Sequence, residues 1–68
     1  MLYGDVIRLK RMELGLSRCK LGKLVGYEHS GSGTLAVNRW EAMTAYVPTQ
    51  YLRKLSEILQ VPVEMLIP

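Results

Sequence analysis

Arg39 carries a guanidinium, and the chemistry open to it is recognition rather than catalysis. A guanidinium can grip guanine O6 and N7 with two parallel hydrogen bonds. The alternatives for it are a phosphate contact or plain solvation. Its neighbour Asn38 could touch a phosphate or a base edge, or simply stand exposed. Upstream, Ser17 and Arg18 stand at the start of another short segment, with Lys20 and Lys23 further along it. If that segment is a helix, its free N–H groups and its dipole favour a phosphate, and the cations extend the grip. Catalysis has no comparable support. There is no paired carboxylate, nucleophile–base set or phosphate loop with supporting context. His29 stands alone in a glycine–serine stretch, and Cys19 is the only cysteine. Neither makes a metal site or a catalytic dyad. The expectation is a binding protein, with no enzyme activity, cofactor, metal or small-molecule ligand.

These residues must be held by short helices. Tyr3, Ile7, Lys10 or Arg11, and Leu14 recur at helical spacing, so residues 4–14 read as a first helix. Gly15 takes a left-handed position after it, and Leu16 folds back to close a Schellman-type end. Ser17 caps a second helix over 18–25 that buries Leu21 and Val25. Gly22 lies where a small residue would let another helix come close. Residues 26–33, GYEHSGSG, read as a loop without regular structure. A third helix is expected over 34–42, capped by Ser32 or Thr34, with Val37 and Trp40 inward. Two short helices in succession, the first followed by glycine, are the layout of a helix-turn-helix. Pro48 suits the first turn of a fourth helix, about 48–60, and a short fifth follows at 62–67.

The totals agree with one small domain, residues 1–68. A chain of this size buries only about 60% of its unfolded surface, so its stability margin is small. Half the residues are apolar, enough for one core, and a lone cysteine fits a reducing cytosol. No segment reads as a signal peptide or a membrane span, so a cytoplasmic location is expected. The formal charge is +3 and lies unevenly, at +4 over residues 1–27 and −1 over 28–68. A basic half suits a polyanion, although a soluble surface with chance asymmetry would look similar.

Taken together, IRLKRMELGLS, LGKLVG, VNRWE and YLRKLSEILQVPVEML resemble the DNA-binding domain of lambdoid phage repressors and Cro proteins, in that order and over nearly the whole chain. The resemblance implies an all-α, compact, five-helix lambda-repressor-like domain. It places Arg39 on a base-contacting position of the recognition helix, and Thr34 and Leu35 on the other reading positions. Leu35 could sit on a thymine methyl. If a longer loop shifts the frame, it is core instead. Arg11 and Glu41 match a pair that the family joins by a salt bridge. Two departures stand out. The stretch between Gly26 and Val37 is longer than the family's, which implies an enlarged turn between helices two and three. That turn is expected to fold over Leu24. Arg18 stands where the family often has glutamine, and the loop AMTAYVP lacks the usual positive charge.

The function expected on this basis is a sequence-specific, double-stranded DNA-binding transcriptional regulator, a Cro-like phage or prophage repressor. It would act as a homodimer on a palindromic operator, reading half-sites about one helical turn apart. Val63, Met65, Leu66, Ile67 and Pro68 form either the dimer patch or part of the monomer's own core. A different class competes with this reading: an antitoxin-like protein-interaction module that also regulates its own promoter.

Overall fold

Tyr3, Val6, Ile7 and Arg11 recur at steps of three and four. In the computed structural model, which describes residues 2–68, they form the buried face of helix α1 (Tyr3–Glu13). Three more helices follow: α2 (Arg18–Val25), α3 (Ser30–Glu41) and α4 (Thr49–Leu59). A 3-10 turn at Val63–Leu66 closes the chain. The described residues contain no strand, and the whole measures 28 × 22 × 20 Å. No helix among them is long and apolar enough to cross a membrane.

All four helices stop by one device. A residue of positive φ follows the last turn, and the next N–H reaches back five positions. Gly15 has φ +70°, and Leu16 donates to the Arg11 carbonyl at 3.0 Å. Gly26 has φ +132°, and Tyr27 donates to Gly22 at 3.0 Å. Met43 and Gln60 do the same at φ +64° and +58°, with Thr44 donating to Arg39 and Val61 to Ser56. The first two stops carry glycine and are legible in the sequence. The last two place L side chains in the left-handed region, which composition does not announce.

Two expectations are corrected. The longer stretch after Gly26 does not enlarge the turn, which is only the four residues Gly26–His29. Its extra length instead adds a turn to the front of α3, so the helix begins at Ser30 and not at 34. Ser32 and Thr34 lie inside the helix, and His29 occupies the N-cap without a side-chain bond. The cause is packing. Gly33 is buried against Gly22, backbone to backbone, and that contact holds a glycine–serine segment helical despite its poor propensity. The last segment is a four-residue 3-10 turn rather than a fifth α-helix. Pro62 fixes its entry, and Ile67 leaves it extended, too soon for an α-helical run.

Trp40, Ile7, Leu21, Leu55, Leu66 and Val37 are the largest fully buried side chains, two from α3 and one from each other element. Leu66 therefore belongs to the monomer's own core, while Met65 and Ile67 remain exposed. Tyr27, in the connection after α2, packs in tilted contact with its ring centroid 4.6 Å from that of Tyr51 and 6.2 Å from that of Trp40. This aromatic pin orders a connection that otherwise offers only polar and small residues.

Candidate nucleic-acid interface

Helix α3 is anchored from behind by Val37 and Trp40, both fully buried, and by Gly33. Steps of three and four from Gly31 then place Leu35, Asn38 and Arg39 outward, and all are exposed. Thr34 is half-buried beside them. Leu35 keeps 48% of its surface accessible, so it is not core. Because α3 starts early, Thr34 and Leu35 sit in its second turn and not at its tip.

Arg18, Ser30, Gly31, Thr34, Leu35 and Asn38 line an open concavity of about 410 Å³. Three of the four residues expected to read bases thus share one hollow with the first residue of α2. Arg39 lies outside its lining, one residue further along the exposed face. Arg39 has no ion-pair partner among the described residues.

The start of α2 is built as its sequence suggests. Ser17 Oγ accepts from the Lys20 N–H at 3.0 Å, which caps the helix. Lys20 and Lys23 are exposed. Arg18 is also exposed but not free: its Nε donates to Glu41 Oε1 at 3.2 Å. Glu41 also takes Arg11 Nε on Oε2 at 2.6 Å and Arg11 Nη2 on Oε1 at 3.3 Å. Arg11 Nη1 donates to the Leu16 carbonyl at 2.9 Å. One carboxylate, 5% exposed, therefore ties α1 and the front of α2 to the end of α3. Neither local pattern nor the resemblance signals the pairing of Arg18 with Glu41, 23 positions apart.

Neither protein-family models nor curated proteins yield a match to this chain. The site therefore rests on its own geometry. Among the described residues, no group of three or more His, Cys, Asp and Glu is placed to hold a metal ion. His29 and Cys19 take no part in a cluster.

One local expectation fails. Leu24 is 40% exposed, and the connection does not fold over it. The residues that would have covered it are spent on lengthening α3. Sequence reading also missed Gly4. A methyl there would meet the Glu41 carbonyl at 2.7 Å and that of Trp40 at 2.9 Å, so α1 and the end of α3 touch through backbone. A glycine in the first turn of an otherwise regular helix is the available signal.

Proposed function

We propose that this chain is a sequence-specific, double-stranded DNA-binding regulator built on a helix-turn-helix, in the manner of a Cro-like repressor. The observation that carries the proposal is the outward stripe Leu35, Asn38 and Arg39, with half-buried Thr34 beside it, on a helix whose opposite side is locked into the core. A helix held this way can enter a major groove with hydrogen-bonding and methyl-contacting groups foremost. Gly31 and Ser32 leave the front of α3 bare of bulk, which suits close approach to a duplex. Ser17, Lys20 and Lys23 on α2 supply the contacts to phosphate. Arg11 and Glu41 hold the angle between the reading helix and the rest of the domain.

The regulator acts as a homodimer on a palindromic site. Leu9 and Met65, both exposed, line a shallow apolar groove with Val6, bordered by Lys10 and Glu13. This groove is the surface we assign to the second copy. The same groove supports the competing reading, an antitoxin-like module that holds another protein there and regulates its own promoter. Selection of bound sequences from random duplex DNA is the decisive test. The proposal expects a motif of two inverted half-sites about one helical turn apart. Recovery of unenriched sequence at moderate ionic strength would end it.

A further inference from the structure

We infer that Arg18 is a base-reading side chain whose orientation is preset by Glu41, and that it addresses a guanine beside the bases met by Thr34, Leu35 and Asn38. The inference rests on the DNA-binding reading above and refines the site it describes.

Three observations lead there. Arg18 lines the same concavity as Thr34, Leu35 and Asn38, so it faces what they face. Its Nε is committed to Glu41 Oε1 at 3.2 Å, while the side chain keeps 44% of its surface accessible. The carboxylate that holds it is nearly buried and is itself fixed by Arg11 at 2.6 Å. A guanidinium has five N–H donors in a rigid planar fork. Tying down Nε leaves the donors on Nη1 and Nη2 and biases them toward one orientation. Two donors held in a plane match the O6 and N7 acceptors of guanine.

The same pairing argues against a simple phosphate grip. A phosphate contact draws on net positive charge, and here a carboxylate cancels part of it at close range. Arg18, Arg11 and Glu41 together carry only one net positive charge. Lys20 and Lys23, exposed and without an ion-pair partner among the described residues, are better phosphate ligands on the same helix. The carboxylate weakens Arg18 as a counter-ion and improves it as a geometric reader, because ordering is paid before the DNA arrives.

The test compares sequence selection by the wild-type protein, Arg18→Ala and Arg18→Lys, with salt titrations on the wild-type motif. Expected is loss of preference for guanine at one position of each half-site in both variants, by roughly 5- to 150-fold, with the other positions kept. Lysine retains the charge but loses the preset fork, so it should recover at most part of that preference. A uniform loss across all sequences, with a salt slope shallower by about 0.9 and rescue by lysine, would make Arg18 a phosphate contact and overturn the inference while leaving the proposed function intact. If the wild-type protein selects no motif, the function and the inference fall together. The preset orientation has its own readout in the free protein. The Arg18 Nε–H order parameter should exceed that of Arg39, and equal mobility of the two would contradict the role given to Glu41.

Discussion

Gly22 and Gly33 meet through their backbones: a methyl group on Gly22 would stand 2.6 Å from the Gly33 α-carbon. No side chain separates α2 from α3 at this point. The angle between the anchoring helix and the proposed reading helix is therefore set by main chain, which cannot swing aside as a side chain can.

Gly22→Ala should therefore destabilise the domain by about 1–3 kcal/mol or more, because the added carbon meets backbone. Gly31→Ala should do the opposite. Nothing lies within 4 Å of a methyl built there, and alanine is favoured over glycine in a helix by up to about 1 kcal/mol, less in the first turn where Gly31 stands. Urea unfolding of the two variants gives the comparison. Equal effects of the two would show that the close approach does not limit the packing.

Removing Glu41 should cost far more than removing Arg18. Glu41→Ala strands the guanidinium of Arg11, which is itself buried, and breaking such a pair costs roughly 3–5 kcal/mol. In a domain of this size that loss can unfold the chain. Arg18→Ala deletes an exposed partner and should cost about 1 kcal/mol or less. Thermal melts followed by circular dichroism separate the two. A Glu41→Ala protein that melts with the wild type would remove the carboxylate from its central place.

Much of this arrangement is legible in the sequence, and the exceptions share a cause. Ser17 as cap, Gly15 as left-handed stop and Trp40 as core follow from local rules, because each needs only its neighbours along the chain. Gly22 signals a close approach but does not say to what. The early start of α3 depends on Gly33 meeting Gly22 from another helix, and on Tyr27 reaching Tyr51 and Trp40. Those are long-range contacts, and they override the weak helix propensity of SGSG. The same holds at the site. The outward placement of Asn38 and Arg39 follows from periodicity, whereas the tie between Arg18 and Glu41 exists only once α2 and α3 are packed.

Alkaline pH should weaken the fold through Tyr3. Burial first, and Tyr46 second, raise its phenol above the ordinary value, and its hydroxyl donates to the Ala45 carbonyl at 2.8 Å. The folded pKa thus lies above the unfolded value of about 10. Its contribution is fully present below about pH 10 and is lost as pH climbs through the folded value, where the native state holds the extra proton. Tyr27 acts in the same direction, by burial and then Tyr51. Tyr3→Phe should lose about 1 kcal/mol near neutrality with the hydrogen bond, and should fall less steeply above pH 10. Urea midpoints measured across that range check both parts. An unchanged alkaline slope in Tyr3→Phe would assign the loss to other groups.

Arg39 and Lys23 should fail differently when removed, and the difference tests the division of labour between α3 and α2. Arg39 stands exposed on the face proposed to read bases, so Arg39→Ala should flatten the preference for one base pair by about 1–3 kcal/mol. Affinity for unrelated duplex should fall much less. Lys23 is exposed on α2, outside the concavity lined by Arg18, Thr34, Leu35 and Asn38. Lys23→Gln should weaken binding to all duplexes alike and make the salt slope shallower by about 0.9, the signature of one lost phosphate contact. Titrations of a selected and a scrambled duplex at several salt concentrations give the specificity ratio and the slope together. An Arg39→Ala protein with an undiminished ratio would take base reading away from Arg39, and a Lys23→Gln protein with an unchanged slope would place α2 away from the phosphates.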